Sequence, residues 1–313
     1  RIESGDVKTR RLALAELAEL AAASPSDSVP AAELLIELLD DAAPAVQGEA
    51  LGILANLSDE HPDAVRPAVE PAISLLSDDI HHLLRNEALQ FLATFAEHDP
   101  ERLTEAVPQL AASLHDDAID PDPVARILLS IAQSEPDALL PVVPKLELFL
   151  ETEPQSAHKW LLGAVGYLSK AHPGIAEEMI PIAAELIESE DTVLRANAAG
   201  VLADLADEYP TEVKPIVPDA IELLEDDDKQ VRYNVSSILA RVANAHPDAV
   251  EPATEHLVTA LDDELADTRF NACWALKRID ATAAIEKLSE IVATDPDEDV
   301  RDVAQMAVDS IKE

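Results

Sequence analysis

The chain has 313 residues, of which 63 are Asp or Glu and 22 are Lys or Arg, so its formal net charge is −41 at pH 7. A hydrophobic content of 48% excludes a disordered acidic tail, and the single cysteine excludes a disulfide framework or a cysteine zinc cluster. No apolar run approaches the roughly 18 residues of a membrane-spanning helix, so we expect no membrane insertion.

The acidic residues are spread over nearly the whole chain, and lysines are few. In dilute salt, repulsion among so many negative charges destabilises a compact chain. Molar salt shortens the Debye length to about 3 Å and screens this repulsion. We therefore expect a cytoplasmic protein of a halophilic archaeon. The alternative is an acidic protein from ordinary salt that binds cationic partners, which would cluster its charge.

A residue–proline step recurs along the chain, and successive prolines of this series are 37, 38, 36, 37, 37 and 37 residues apart. They are Pro25, Pro62, Pro100, Pro136, Pro173, Pro210 and Pro247, and we number repeats 1–7 by them. A fixed interval of this size predicts a solenoid of stacked helical units. We expect one repeat domain over 1–313, with a leading helix in 1–24, repeats in 25–280 and a C-terminal capping repeat in 281–313.

Each repeat is predicted to contain two helices. The first begins at its proline, where the missing N–H has no helical partner, and further prolines such as Pro67, Pro108 and Pro181 lie inside it and should kink it. It ends in an acidic turn, as in Leu75-Leu76-Ser77-Asp78-Asp79. The second helix shows an apolar stripe with a 3.6-residue period.

One position lies 15 residues before each closing proline. It holds Arg10, Gln47, Arg85, Pro121, His158, Arg195 and Arg232, and Arg269 continues the series. Pro121 and Pro123 interrupt the pattern, so we expect the second helix of repeat 3 to begin late, near Pro123. That late start should open a notch beside Trp160 and expose Arg126.

These features resemble the HEAT-repeat family, including its short bilin-lyase-like variants. The likeness rests on the proline-kinked first helix, the acidic turn and a Val-Arg signature at the second helix, as in Val193-Leu194-Arg195, Val231-Arg232 and Val300-Arg301. It covers essentially the whole chain. The resemblance implies an all-α solenoid of about eight helix pairs with a leading helix. It also implies a non-enzymatic scaffold, because most proteins of this family are scaffolds.

Motifs for catalysis and nucleotide binding are missing. The chain has no Gly-rich phosphate loop, no His-Glu-x-x-His pair, and no His-Glu dipeptide of the kind found in HEAT-like diiron hydroxylases. A pI near 4.3 argues against nucleic acid. We therefore expect no enzyme activity and no cofactor, with a bilin-lyase-type handler of a small molecule or an architectural subunit as the alternatives.

The histidines fit structural positions better than a metal site. His61, His172 and His246 share the corner before a proline, where other repeats carry different residues. His81 and His82 are adjacent and point about 100° apart on a helix, so their cluster with Asp78, Asp79, His115 and Asp116 is not expected to hold a metal. The acidic turns are predicted to be solvated, with weak binding of hydrated cations as the alternative. Cys273 is expected to be a small buried hydrophobe.

The second helices are predicted to line a concave face, and repeats 4–7 carry aromatic, Asn and basic residues there. Asn197, Asn234 and Asn271 recur at 37-residue intervals, similar to the asparagine ladder of armadillo proteins, while residues 154–176 contain no acid. We expect a monomer that binds a protein or extended peptide; packing between second helices is the alternative role of these residues. The predicted partner-binding residues are Arg126, Lys159, Trp160, Tyr167, Lys170, Asn197, Tyr233, Asn234, Arg241, Phe270, Asn271, Trp274 and Arg278.

Overall fold

The computed structural model describes residues 5–152 and 156–312, and for residues 175 and 176 the backbone alone. Every regular element in these ranges is helical. Parts of the predicted segments 1–24, 154–176 and 281–313 lie outside the described residues. The chain divides into two compact units, 1–164 and 165–313, and the boundary falls within one helix. We describe each unit by itself.

Unit 1 contains a leading helix, α1 (Val7–Ala23), followed by repeats 1–4. The α-helices of its repeats are α2 (Pro25–Ser28), α3 (Ala32–Glu37), α4 (Pro44–Ser58), α5 (Pro62–Val65), α6 (Val69–Ser74), α7 (His82–Ala96), α8 (Val107–Ser113), α9 (Pro121–Ser134), α10 (Val143–Leu150) and α11 (Ser156–Ala171), which crosses the boundary. Short 3-10 segments lie between the α-helices of the first helix in repeats 1 and 2, at Val29–Ala31 and Arg66–Ala68. In repeats 3 and 4 a 3-10 segment opens the first helix, at Pro100–Ala106 and Pro136–Val142, and a further one is Leu38–Asp40.

Unit 2 contains repeats 5–7 and a shorter C-terminal pair. Its α-helices are α12 (Pro173–Ala176), α13 (Ile180–Leu186), α14 (Thr192–Leu205), α15 (Pro210–Val213), α16 (Val217–Glu222), α17 (Lys229–Ala245), α18 (Pro247–Val250), α19 (Thr254–Ala260), α20 (Ala266–Arg278), α21 (Ile285–Thr294) and α22 (Glu298–Lys312). Its 3-10 segments are Glu177–Met179, Lys214–Ile216, Leu223–Glu225, Glu251–Ala253 and Thr282–Ala284. The predicted leading helix and eight helix pairs are confirmed.

The first helix of a repeat is interrupted more sharply than the sequence predicted. It consists of α and 3-10 segments, and Pro30, Pro67, Pro215 and Pro252 lie within the 3-10 turns. Pro108, Pro144, Pro181 and Pro218 each occupy the second residue of a new α-helix, where a backbone N–H needs no helical partner. The expectation of one kinked helix is therefore corrected: a change of helix type places these prolines where the missing N–H has no helical partner, although Pro141 lies inside the 3-10 segment Pro136–Val142.

The second helices are long, and several of them, including α9, α14 and α17, are capped at their starts by aspartates. Asp191 accepts hydrogen bonds from Val193 N and Leu194 N at 2.9 and 3.1 Å, and Asp228 caps α17 in the same way. Asp120 accepts a bond from Asp122 N at 3.1 Å. The cap places the start of α9 at Pro121, two residues before the predicted Pro123. The second helix of repeat 3 does start late, because α14 and α17 begin three residues before Arg195 and Arg232, the positions equivalent to Pro121. Prolines fit this first turn because its N–H groups are free, and the notch beside Trp160 stays a prediction.

The core of each unit is aliphatic and lies along the second helices. Two phenylalanines of α7, Phe91 and Phe95, are fully buried in unit 1. In unit 2 the buried row on α17 is Val231, Val235, Ile238, Leu239 and Val242. Such a row buries apolar surface against neighbouring helices only, so stability depends on contacts between adjacent repeats.

Candidate functional site

The recurring arginine of the second helix makes an ion pair with the acidic turn that follows the next first helix. Arg195 bonds Asp226 at 2.7 Å, and Arg232 bonds Asp263 at 2.6 Å, each 31 residues further along the chain. Arg10 with Asp41 and Arg85 with Asp116 repeat that spacing in unit 1, and Arg269 with Asp295 closes the series in unit 2. We call these five pairs the Arg–Asp ladder.

The ladder is continuous through unit 2 because each turn accepts two arginines. The Asp226 carboxylate accepts Arg195, while the Asp226 carbonyl accepts Arg232 Nη1 at 2.9 Å. The same exchange recurs at Asp263, whose carbonyl accepts Arg269, and at Asp295, whose carbonyl accepts Arg301. Each repeat is thereby joined to the next by charge-assisted hydrogen bonds, the stronger class of protein hydrogen bond.

These pairs correct the expectation that the acidic turns are wholly solvated. The side chains of Asp41, Asp226, Asp263 and Asp295 are 9, 8, 6 and 2% exposed. The Arg269 guanidinium is the main reason that the pKa of Asp295 lies below its ordinary value. Burial raises the pKa of Asp226, but the Arg195 side chain and a backbone N–H outweigh that effect, so the pKa lies below its ordinary value. Carboxylates held in this way are arginine partners, so a cation in these turns would have to use their other acids.

Repeat 4 departs from the ladder at His158. This side chain is fully buried and lies 5.2 Å from the Phe149 ring, between ring centroids. Burial lowers the pKa of His158, although backbone groups of Thr152 and Leu150 oppose that shift. A neutral imidazole therefore occupies the position where repeats 2, 5, 6 and 7 hold a guanidinium.

Four of the remaining histidines have structural contacts through their rings. His61 Nε2 lies 2.9 Å from Ser26 Oγ, and His246 Nε2 lies 3.0 Å from Thr211 Oγ1, so both hold a corner to the preceding repeat. His81 Nδ1 accepts a bond from Leu83 N at the start of α7, and His115 Nε2 lies 3.1 Å from Lys145 O. Among the described residues, no group of three or more His, Cys, Asp or Glu is placed to hold a metal.

Cys273 is fully buried, which confirms the expectation of a small core residue. Burial raises the pKa of its thiol to about 12. A thiol that stays protonated at neutral pH is a poor nucleophile and metal ligand.

Unit 1 holds three of the predicted partner-binding residues. Arg126 on α9 forms an ion pair with Glu97 at the end of α7, so the expected free guanidinium is already engaged. Lys159 Nζ lies 5.0 Å from the Trp160 ring centroid. The Trp160 indole N–H is buried and makes no hydrogen bond within residues 5–152 and 156–312. Two open cavities, of about 290 and 590 Å³, lie elsewhere in this unit, beside Glu97 and beside Leu12.

In unit 2, Tyr167 is 41% exposed and Lys170 is exposed. Lys170 Nζ lies 3.7 Å from Asp204 Oδ2 on α14. Arg241 on α17 approaches the same Asp204 carboxylate at 3.9 Å and Asp207 at 3.2 Å, and it donates to Ala203 O. Both cations are therefore held by α14. Burial still raises the pKa of the Asp204 carboxyl above its ordinary value, because it outweighs the two neighbouring cations.

The asparagine series takes part in packing between second helices. Asn234 is 7% exposed and donates to Ala196 O at 2.8 Å, and Asn271 donates to Ser236 Oγ at 3.1 Å. Gly200 makes room for this amide, since a Cβ there would lie 3.3 Å from Asn234 Nδ2. Asn197 is half-buried in α14. For Asn234 and Asn271, these bonds favour the packing alternative over a ladder that holds a peptide.

The second helix of repeat 7 presents a different surface. Phe270, Trp274, Lys277 and Arg278 lie on one face of α20 at helical spacing, and we call them the α20 platform. Lys277 Nζ and Arg278 Cζ lie 4.6 and 5.3 Å from the Trp274 ring centroid, while the Phe270 ring meets Trp274 edge-on at 6.3 Å. Tyr233, on α17, is half-buried. Lys277 was not among the predicted partner-binding residues, although its i+3 spacing from Trp274 is visible in the sequence.

Comparisons with known proteins agree with this architecture. Residues 217–309 match the sequence profile of HEAT repeats, and no curated protein matches the chain. A solved structure from work on a phosphorylation switch that controls the interaction between cadherin and beta-catenin is similar in fold. Its TM-score is 0.77 at 16% identity, with 99% of this chain and 75% of that chain covered. The fold of the chain is thus that of an all-helical solenoid, and its residues 217–309 carry the HEAT-repeat pattern.

Proposed function

We propose that the protein is a non-enzymatic scaffold that binds a protein or extended peptide through the second helices of repeats 4–7. The observation that carries this proposal is a contrast between aromatic residues. Phe91 and Phe95 on α7 are fully buried, whereas Tyr167 is 41% exposed and Trp274 is half-buried. Exposed aromatic and arginine side chains at the surface have the composition of interface hot spots.

Contacts within unit 2 narrow the set of residues that a partner would meet. Asn234 and Arg241 already bond neighbouring helices, so they act as supports for the surface. Tyr167, Tyr233 and the α20 platform are the groups that would supply contact area. Arg126, Lys159 and Trp160 stay a separate prediction for unit 1.

Site-specific cross-linking tests this proposal. A photoreactive phenylalanine is placed at Tyr167 or Tyr233, and at Glu255 and Glu222 as exposed first-helix controls. In source-cell lysate with molar KCl, we expect one protein to be cross-linked from the second-helix positions and to be competed away by the unmodified chain. Equal labelling from Glu255 and Glu222, or labelling from none of the four positions, would refute the proposed surface.

We also propose that the protein works as a monomer in the salt-rich cytoplasm of a halophile and does not bind nucleic acid. The net charge of −41 and the pI near 4.3 support the last two statements. Molar salt would relieve the repulsion among the charges of the chain, and a nucleic acid, itself a polyanion, would be repelled by them. Among the described helices, none is long and apolar enough to cross a membrane.

A further inference from the structure

Arginines in this chain are almost all engaged by its own acids and carbonyls. Within residues 5–152 and 156–312, bonds to a carboxylate or a carbonyl are made by Arg10, Arg11, Arg66, Arg85, Arg102, Arg126, Arg195, Arg232, Arg241, Arg269 and Arg301. Arg278 is the exception among the described arginines, since its guanidinium meets only the Trp274 ring. Lys277, three residues from Trp274, contacts the same ring and no described carboxylate.

This exception is informative because acids outnumber bases 63 to 22. Among the described arginines, one that bonds neither an acid nor a carbonyl is unusual, and here Arg278 converges with Lys277 on one indole. The ring beside them reduces their access to water, which strengthens their attraction for an anion that makes direct contact. Phe270 extends the apolar part of the same face.

We propose that the α20 platform binds an acidic segment of the protein partner. One carboxylate is accepted by Lys277 and Arg278, and an adjacent aromatic or aliphatic side chain packs on Trp274 and Phe270. This inference rests on the proposed scaffold function and specifies the chemistry of its partner. Charge complementarity selects the occupant, because the platform is a basic patch on a chain of net charge −41.

A peptide fits this surface better than a nucleic acid. Tight binding to a phosphate backbone uses a run of several cationic contacts, whereas the platform offers two. Exposed Asp267 precedes it and exposed Asp280 follows it on the chain, so a long polyanion would meet like charge on either side. A short carboxylate-bearing segment with an apolar neighbour would contact only the platform.

Tryptophan fluorescence offers a direct test, because the chain has two tryptophans. In a Trp160→Phe background, Trp274 is the sole reporter. The probes are a short peptide of Asp, Glu and Phe, its Asn, Gln and Phe isostere, and a single-stranded DNA, each titrated in molar KCl. We expect the acidic peptide to shift Trp274 emission and to bind at least about tenfold more tightly than the isostere, equal to about 1.4 kcal/mol.

Charge-matched variants locate the site. Lys277→Ala/Arg278→Ala should weaken binding about tenfold or more, whereas Lys214→Ala/Lys229→Ala, which removes two exposed lysines elsewhere in unit 2, should change it by less than about twofold. Circular dichroism verifies that both variants are folded. Equal affinity for peptide and isostere, equal effects of the two double variants, or tighter binding of the DNA would each overturn the inference.

An incorrect assignment of the partner's chemistry can be distinguished from an incorrect scaffold proposal. If cross-linking at Tyr167 or Tyr233 captures a partner while the acidic peptide leaves Trp274 unchanged, only the partner chemistry is wrong. If cross-linking captures nothing, the scaffold proposal fails whatever the peptide does.

Discussion

Replacing Arg269 with Met removes one rung of the Arg–Asp ladder and leaves its acid buried. Arg269 donates to both carboxylate oxygens of Asp295, at 2.8 and 2.9 Å, and to Asp263 O at 2.9 Å. The Asp295 side chain is 2% exposed and that of Arg269 is 10% exposed. Methionine fills similar space but supplies none of these donors.

The size of the effect follows from the stranded carboxylate. Breaking a buried ion pair by removing one partner costs about 3–5 kcal/mol, because the other charge is left without compensation. Asp295 keeps one bond, from Asp297 N at 2.9 Å, so we expect Arg269→Met to cost about 3–4 kcal/mol of unfolding free energy.

Urea unfolding of the Trp160→Phe protein in molar KCl measures this loss, because Trp274 lies on the same helix as Arg269. Arg278→Met is the matched control, since it makes the same change on α20 where the guanidinium contacts only a ring. A cation–π contact at an exposed site is worth about 0.5–1 kcal/mol, so the control should cost no more than that.

The pH dependence of the loss and a double variant test the same reasoning. In the wild type the pKa of Asp295 is held below its ordinary value, so the pair contributes fully at neutral pH and is lost only as the pH falls through that lowered pKa. In Arg269→Met the buried acid is protonated more readily, so the deficit should shrink between neutral pH and about pH 5. Arg269→Met/Asp295→Leu should recover part of the loss. A deficit below about 1 kcal/mol, or one that the double variant deepens, would contradict the account.

Three other expectations concern packing, pH and salt. Asn234→Ala should cost about 1–2 kcal/mol of unfolding free energy. Gly200→Ala should stabilise the protein by about 1 kcal/mol only in the Asn234→Ala background, because the added Cβ otherwise crowds the Asn234 amide. Urea unfolding of the wild type, the two single variants and the double variant tests this coupling. Asp204→Asn should be neutral or stabilising at neutral pH and lose that advantage as the pH falls, because the raised pKa of Asp204 means that its charged form opposes folding; a destabilised variant at neutral pH would contradict this. The thermal midpoint, followed by circular dichroism, should rise from dilute to molar KCl, because −41 charges repel one another less when screened; an unchanged or lower midpoint would argue against adaptation to salt.

The proline interval was sufficient to predict the number and order of the helix pairs, because the proline that opens each first helix must sit where no N–H is needed. It could not predict the 3-10 turns. The same rule admits a proline either in a kinked helix or at a new helix start, and Pro108 and Pro144 take the second option. Pro121 and Pro123 did predict the late start of α9, but the prediction was two residues too far along the chain, because Asp120 supplies a cap and Pro121 fits the first turn.

The candidate site was harder to predict than the fold, because residue type does not reveal which group a side chain bonds. Arg241 and Asn234 have the composition of a binding groove, yet both are held by carbonyls of the preceding helix. A constant separation of 31 residues between Arg195 and Asp226, and again between Arg232 and Asp263, was present in the sequence and would have indicated the ladder.

In concentrated salt, buried ion pairs still stabilise the folded protein, whereas exposed pairs contribute little. Arg66 and Asp63 form a pair whose side chains are 40 and 84% exposed, and such a pair contributes about 0–1 kcal/mol before salt weakens it. Four pairs of the Arg–Asp ladder have acids that are 2–9% exposed, whereas Asp116 is 36% exposed. Molar salt therefore screens the attraction in those four pairs much less than it screens the repulsion among surface carboxylates. If the protein works in molar salt, the ladder therefore keeps adjacent repeats joined under the same conditions that make a net charge of −41 tolerable.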